Sequence, residues 1–180
     1  MTAMEIGVIS VRYARALLKS ATEQGIEKRV YGEMQAMVQS YLKVPQLRFT
    51  IDNPMLAKDQ KKTLLATACG SEIAPLTRRF IDLVVDKGRE SNMQFMAASY
   101  ITLYRKQNNI TRGRLITAVP VTADIERKMR QKVEGKTNGT VEFQTETNPE
   151  IIGGYILEYD TYRLDASIQN QLRSILTQLK

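Results

Sequence analysis

The sequence predicts an α+β protein, with an antiparallel bundle of short helices followed by a small C-terminal β-α-β-β-α domain. Apolar residues recur at helical spacing from the start of the chain to about residue 106. After Asn108-Asn109 the period changes to the alternation that strands show. The predicted helices are short and their connections tight, which favours antiparallel packing. We therefore predict two domains, residues 1–106 and 107–180.

Five or six helices account for the first domain. The first has apolar residues at i, i+3, i+4 and i+7, and Gly25 ends it. Pro45, Asn53-Pro54, Gly70 and Gly88 separate the segments that follow. The apolar positions that define the longer helices are Ala14, Leu17, Leu18 and Ala21; Val30, Met34, Met37, Val38 and Tyr41; Leu64, Leu65 and Ala68; Ile73, Leu76, Phe80, Leu83 and Val84; and Met93, Met96, Ala97, Tyr100, Ile101 and Tyr104.

The second domain is predicted from strand-like alternation around two helical segments. Residues 115–121 and 140–146 alternate as strands, and residues 151–159 form another strand with Gly153-Gly154 inside it, typical of a bulge or a close backbone approach. Leu164 suggests a short additional stretch of strand. Asp165 is placed to cap a final helix with apolar residues on one stripe.

Composition excludes much of the enzyme repertoire. The chain has no His and one Cys, so a Ser-His-Asp triad, a Cys-His pair, an internal disulfide and a multi-Cys zinc site are excluded. No apolar run reaches the roughly 18 residues that a membrane span needs. The first ten residues lack the pattern of a secretory signal. We expect a reducing, cytoplasmic setting, with any membrane attachment made through a partner.

Three candidate chemical motifs have ordinary structural explanations. Gly135-Lys136-Thr137 resembles the end of a phosphate-binding loop, but Arg130 stands where that motif needs Gly, and helix and strand come in the wrong order. Asp160 and Asp165 could form an acid–base pair, but they fall at predicted turn and cap positions. Cys69 has no His to activate it, so a packing role is favoured.

The positive charge lies mainly on the bundle. Residues 1–106 hold 16 basic and 10 acidic residues, a net charge of +6 out of the +7 of the whole chain. A basic surface favours acidic partners. One reading is therefore a basic helical RNA-binding module, although the periodicity turns most tyrosines toward apolar stripes rather than toward the basic face.

The first helix offers a second reading. Tyr13, Ala14, Leu17 and Leu18 form an apolar ridge that contains a small residue. Such a ridge packs inside a bundle, and it can equally line a groove for an amphipathic helix of a partner. Periodicity alone leaves both possibilities open.

Four motifs, in order and at suitable spacing, resemble the delta subunit of F-type ATP synthase, whose mitochondrial relative is the oligomycin sensitivity-conferring protein. The resemblance covers essentially the whole chain, and Asn148 stands where many members have Asp. The matching segments are Arg12-Tyr13-Ala14-Arg15-Ala16-Leu17-Leu18; Asn53-Pro54 followed by Lys61-Lys62-Thr63-Leu64-Leu65; residues 80–89, ending in Gly88-Arg89; and Asn148-Pro149-Glu150-Ile151-Ile152-Gly153-Gly154-Tyr155, then Asp160, Leu164-Asp165-Ala166-Ser167-Ile168 and Leu172.

The resemblance implies a six-helix N-terminal bundle and a non-catalytic subunit of the peripheral stalk, or stator, in a proton- or sodium-translocating rotary ATPase. It implies a groove for the N-terminal helix of an alpha subunit, and a C-terminal domain that holds the end of the stalk's b subunit. It places the protein on the cytoplasmic face of a bacterial inner membrane, with no cofactor, metal, catalytic residue or nucleic acid. The implied partner-binding residues are Tyr13, Ala14, Leu17, Phe80, Leu83, Val84, Gly88 and Arg89, and the second-domain motif residues are Gly153, Gly154, Asp160 and Asp165.

Overall fold

A computed structural model describes residues 3–137, 140–159 and 162–178 of the chain. The α+β class is confirmed. The chain divides into two compact units, Met1–Lys106 and Gln107–Lys180. Within the described residues, no helix is both long enough and apolar enough to cross a membrane.

In the described residues of the first unit, all the regular secondary structure is helical. A 3₁₀ turn, Glu90–Asn92, precedes the last helix of the unit. The six α-helices are α1 (Ala3–Glu23), α2 (Glu27–Lys43), α3 (Gln46–Asp52), α4 (Lys58–Cys69), α5 (Pro75–Asp86) and α6 (Met93–Gln107). Their ends follow the predicted breaks at Gly25, Pro45, Gly70 and Gly88, since glycine adopts positive φ without strain and proline interrupts helical hydrogen bonding.

The core of the first unit contains methionine and tyrosine side chains. Met34, Met37, Met93, Met96 and Tyr100 are all 0% exposed. The apolar positions that helical periodicity identified in these helices therefore form the core. The unbranched Met side chain fills irregular gaps between helices.

One buried ion pair ties α4 to the 3₁₀ turn. Lys61 Nζ lies 2.8 Å from Glu90 Oε1, and the two side chains are 6% and 15% exposed. Burial raises the pKa of Glu90 and the hydrogen bond from Lys61 lowers it, with a net decrease. The carboxylate is therefore held in its charged form beside the ammonium group.

In its described residues, the second unit is a four-stranded mixed sheet with two α-helices. Strands β1 (Ile110–Thr117) and β2 (Thr140–Thr147) are parallel and joined through helix α7 (Ala123–Thr137). Strand β3 (Tyr155–Tyr159) pairs antiparallel with β1, and β4 (Tyr162–Asp165) pairs antiparallel with β3. The strand order is β2-β1-β3-β4, and helix α8 (Ile168–Gln178) follows.

Two details of the second unit differ from the sequence predictions. The order is β-α-β-β-β-α rather than β-α-β-β-α, because residues 162–165 form a full edge strand. The strand predicted from residue 151 begins only at Tyr155, and a 3₁₀ turn, Pro149–Ile151, precedes it. Ile151 is 3% exposed and packs with Ile116 and Ile156, so burial against the sheet outweighs the strand propensity of this residue.

The two faces of the sheet differ in chemistry. On one face Leu115, Val141 and Leu157 pack with Val133 of α7. The other face carries both an apolar cluster and a charged one. Ile116 of β1 and Ile156 of β3 pack there with Ile151, and Arg114 and Glu158, two residues away on the same strands, lie on the same face. Arg114 pairs with Glu158, Glu158 pairs with Arg163 of β4, and Arg114 also donates to Glu146 of β2, with Nε at 3.0 Å from Oε2. We call these four charged residues the charged ladder.

Candidate functional site

An apolar groove runs between α1 and α5 in the first unit. Its volume is about 390 Å³. Helix α1 contributes residues at 12, 13, 16, 17 and 20, and α5 contributes residues at 76, 79, 80 and 83, so each wall is a single helical stripe. The lining residues are Arg12, Tyr13, Ala16, Leu17, Ser20, Leu76, Arg79, Phe80 and Leu83.

Four of the eight predicted partner-binding residues line the groove, and the other four do not. Tyr13 and Leu17 lie on one wall, and Phe80 and Leu83 on the other. Leu83 is 47% exposed, which leaves an apolar side chain open to contact.

The placement of Ala14 and Val84 in the groove is wrong. Both are 0% exposed and belong to the core. On α1 the groove stripe is displaced around the helix from the core stripe, so the small residue that faces the groove is Ala16. Sequence analysis also missed Arg12, Ser20, Leu76 and Arg79, although their spacing with Tyr13 and Phe80 carries the signal.

Gly88 and Arg89 do not line the groove, but Arg89 braces one of its walls. Gly88 ends α5 with φ of 64°, which turns the chain back toward α1. The guanidinium of Arg89 donates from Nη1 to Tyr13 Oη at 2.6 Å and lies 5.3 Å from the centre of the Tyr13 ring. Tyr13 in turn meets Phe80 edge-on, with ring centroids 6.4 Å apart. These contacts fix the ring at the boundary between the walls.

A carboxylate on α2 fixes the start of α5. Glu33 Oε1 accepts from the backbone N–H of Ala74 at 2.7 Å, and its Oε2 accepts from the Thr77 hydroxyl. Ala74 immediately precedes α5, and its own side chain cannot cap. Glu33 therefore supplies from another helix the acceptor that the N3 carboxylate of a capping box offers to the N-cap N–H, and its negative charge suits the positive end of the helix dipole.

The Gly153-Gly154 motif of the second unit forms a close backbone approach. Gly154 has φ of 75°, and a Cβ there would fall on the carbonyl oxygen of Ala166. A Cβ at Gly153 would lie 2.7 Å from Ile168 Cδ1, at the movable end of a side chain. The backbone N–H of Ile168 donates to the Gly153 carbonyl at 3.0 Å. Gly154 therefore seats the start of α8, as the predicted close approach requires.

Ile152, directly before this pair, adopts a strained conformation. Its φ is 68° and its ψ is −44°, and the N–H of Gly153 donates to the carbonyl of Ile151 at 2.8 Å. This is a three-residue turn with positive φ, which β-branched residues rarely adopt. The Ile152 side chain is 61% exposed. The turn thus holds an apolar side chain in solvent beside the start of α8.

Asp165 does not cap α8 as predicted. Ser167 does so, because its Oγ accepts from the N–H of Asn170 at 3.1 Å. Asp165 supports that cap: its Oδ1 accepts from Ser167 Oγ at 2.6 Å and from Ser167 N–H at 3.1 Å, and these bonds lower the pKa of Asp165. Asp160 lies outside the described residues, so the structure does not test an acid–base pair.

Helix α8 presents an apolar stripe to solvent. Its large apolar residues are 42–63% exposed; they are Ile168, Leu172, Ile175 and Leu176. Together with Ile152 they define what we call the α8 surface. A second cavity, of about 210 Å³, lies between α7 and the β3–β4 hairpin.

The described residues provide no group of three or more Cys, Asp and Glu side chains suited to holding a metal ion. Cys69 is 4% exposed, and burial, with a further contribution from the charge of Glu33, raises the pKa of its thiol to about 12. A thiol in this state is a packing residue rather than a nucleophile.

Comparison with known proteins gives consistent matches over nearly the full length. Residues 9–179 match the family model described as the ATP synthase delta (OSCP) subunit. The chain is 45% identical over 176 residues to ATP synthase subunit delta of Phocaeicola vulgatus, covering 97% of this chain and 95% of that protein. It is 42% identical to ATP synthase subunit delta of Parabacteroides distasonis, covering 98% of each.

A solved structure shares the fold. One chain of the cryo-EM structure of the Toxoplasma gondii mitochondrial ATP synthase hexamer matches with a TM-score of 0.66 over 99% of this chain and 98% of its own. The sequence identity is 20%, so this match speaks to the fold alone.

Proposed function

Because the chain belongs to the family of ATP synthase delta (OSCP) subunits, we propose which of its surfaces join it to the rest of that complex. The chain is a non-catalytic component of the peripheral stalk of ATP synthase. The alternative of a basic RNA-binding module has no support from these comparisons. A stator subunit works by staying bound under load, so its function depends on surfaces rather than on reactive groups.

The first proposed contact is the groove between α1 and α5, with the N-terminal helix of an alpha subunit as its occupant. The observation that carries this proposal is the pair of apolar stripes that face each other across the groove. From residue 12 to residue 20 the groove extends about 12 Å along α1, which corresponds to roughly two turns of a docked helix. Tyr13, Leu17, Phe80 and Leu83 would receive its apolar side chains, and Arg89 would act by holding Tyr13 in place.

The second proposed contact is the α8 surface, with the end of the stalk's b subunit as its occupant. Exposed apolar side chains on one helical stripe suit an amphipathic helical partner. Gly153, Gly154 and Asp165 would serve indirectly, because they seat and cap the helix that carries the stripe. The strain at Ile152 supports this assignment, since unfavourable backbone conformations concentrate at functional sites.

We further propose that residues 1–106 and 107–180 are two domains, and that the first folds on its own as a six-helix antiparallel bundle. Two contacts in one chain would raise the effective concentration of each partner near the other, so the whole linkage dissociates more slowly than either contact alone. The complex would hold the protein at the cytoplasmic face of the bacterial inner membrane. A truncated chain of residues 1–106 that lacked helical circular dichroism would contradict the division into domains.

Ala16 provides the sharpest test of the first contact. Ala16 is exposed and lines the groove, and Glu is a good helix former, so Ala16→Glu should leave the fold intact. We expect Ala16→Glu to weaken binding of a synthetic peptide of the alpha subunit's N-terminal segment by about tenfold or more, because a long charged side chain would fill the space that the docked helix needs and would lose water there. Isothermal titration calorimetry with the full chain measures this.

The matched control is Ala98→Glu, an exposed alanine of α6 that does not line the groove. It should bind the peptide as the wild type does. If the two variants bind equally well, the peptide docks elsewhere and the proposed contact is wrong.

A further inference from the structure

We infer that Arg12 and Arg79 determine the charge of the helix that the groove accepts. They select an amphipathic helix that carries acidic residues on both sides of its apolar stripe. This inference rests on the proposed function, because it assigns specificity to the same groove. It goes further by naming the residues that discriminate among apolar helices of similar shape.

The two arginines stand on opposite walls. Arg12 belongs to α1 and Arg79 to α5, and both side chains line the groove while remaining exposed. They are therefore placed to flank an occupant rather than to contact the middle of its apolar stripe. Long cationic side chains at such positions cover apolar surface with their stems and keep the charged head at the rim.

Neither arginine has an ion-pair partner among the described side chains. Elsewhere in the described chain basic residues pair readily, as Lys61 does with Glu90, Lys62 with Asp86 and Arg163 with Glu158. Asp82, on the same helix as Arg79, acts electrostatically on Lys62 of α4 instead. The positive charge at the groove is thus left for a ligand to neutralise.

Among the residues that the structure describes, no acidic side chain lines the groove. Its polar members are Arg12, Arg79, Ser20 and the Tyr13 hydroxyl, and that hydroxyl already accepts a hydrogen bond from Arg89. A helix with lysines beside its apolar stripe would bring like charges against both walls. A helix with glutamates there would form an ion pair on each side. Complementary charge at a rim increases the association rate and suppresses wrong partners.

The test uses two designed amphipathic peptides with the same apolar stripe. One carries Glu at the flanking positions and the other carries Lys at those positions. Their affinities for the full-length chain are measured by isothermal titration calorimetry at low and high salt. Exposed ion pairs each contribute about two- to fivefold in affinity, so we expect the Glu-flanked peptide to bind about tenfold more tightly at low salt. This preference should shrink as salt screens the charges.

The charge-reversed variant R12E/R79E should invert the preference, so that it binds the Lys-flanked peptide more tightly. The matched control is R15E/R78E, which reverses two exposed arginines on the same two helices, neither of which lines the groove. It changes the net charge by the same amount, and it should keep the wild-type preference for Glu flanks. An equal effect of the two double variants would show that general basicity, rather than Arg12 and Arg79, sets the preference.

A parallel titration with the alpha-subunit peptide separates the inference from the proposed function. If that peptide binds the wild type but the wild type does not distinguish Glu from Lys flanks, the inference is overturned and the groove contact stands. If the alpha-subunit peptide fails to bind while the wild type prefers Glu flanks and R12E/R79E inverts this, the inference holds and the assigned partner is wrong.

Discussion

The link between Glu33 and the start of α5 leads to a prediction of large effect. Glu33→Ala removes the acceptor of two hydrogen bonds, one from the backbone of Ala74 and one from Thr77, which is 0% exposed. Hydrogen bonds to a buried charge contribute about 1.5–3 kcal/mol each, and a donor left unsatisfied costs a similar amount. The ion pair with Arg29 adds little, because the Arg29 side chain is 53% exposed.

We therefore expect Glu33→Ala to lower the free energy of unfolding of the first unit by about 3 kcal/mol. With a urea dependence of about 1–2 kcal/mol per molar, the unfolding midpoint should fall by about 2 M. Exchange of the Ala74 amide hydrogen, for which Glu33 is the acceptor, should accelerate by up to about a hundredfold. Glu33→Gln should have a smaller effect, because the amide oxygen can still accept one of the two bonds.

Urea unfolding followed by circular dichroism, together with hydrogen exchange of the full chain, measures both quantities. Glu23→Ala is the matched control, since it removes an exposed carboxylate at the end of α1 and should change stability by less than about 0.5 kcal/mol. The reasoning is refuted if Glu33→Ala and Glu23→Ala shift the midpoint equally and leave the Ala74 amide equally protected.

Three further predictions concern the two units separately. Gly154→Ala should destabilise the second unit in thermal unfolding, because its Cβ meets the Ala166 carbonyl at positive φ. Gly135→Ala, with nothing within 4 Å of its Cβ, should be neutral or stabilising by up to about 1 kcal/mol. If Gly135→Ala destabilised the second unit more than Gly154→Ala does, the close approach at Gly154 would be contradicted. Cys69 should react with a thiol reagent at neutral pH only after unfolding in urea, because its pKa of about 12 keeps the thiol protonated and its burial keeps it inaccessible. Rapid labelling of Cys69 in the folded protein would contradict this. The pKa of Glu90 is lowered in the folded protein, so the ionised carboxylate stabilises the fold above pH 4.5, its usual pKa, and this contribution is lost as the pH falls through the folded pKa. Glu90→Gln should therefore lose less of its resistance to urea upon acidification than the wild type does. The same pH dependence in both proteins would exclude this role of Glu90.

The groove could be predicted from the sequence in part, and the errors in that prediction have a geometric cause. Successive residues of a helix are separated by about 100° around its axis, so Ala14 and Ala16 point in nearly opposite directions. Leu17 lies between the core stripe and the groove stripe, so it belongs to both, and hydrophobicity alone does not tell which of the two alanines faces outward. The answer depends on where α5 packs, which is a tertiary property.

The contacts that hold the groove in shape, between Glu33 and Ala74 and between Arg89 and Tyr13, could not be predicted from the local sequence. Glu33 and Ala74 are separated by 41 positions, and Arg89 and Tyr13 by 76, so no spacing rule connects them. In the second unit the Gly-Gly pair did indicate a close approach. The strand boundary was wrong because Ile151 and Ile152 have strand propensity while the local fold turns the chain there. Asp165 and Ser167 are both good caps by residue type, and only the backbone path decides between them.

The charged ladder has a consequence for how the stalk can be assembled. A protein that covered these residues would have to strip water from Arg114, Glu158 and Arg163, and dehydrating charges that already have partners is unfavourable. The ladder therefore disfavours apolar contacts on this part of the sheet surface. Replacing these charged residues with Val or Ile would create an exposed apolar patch on the sheet. We expect the free subunit to self-associate through that patch before it assembles into the complex.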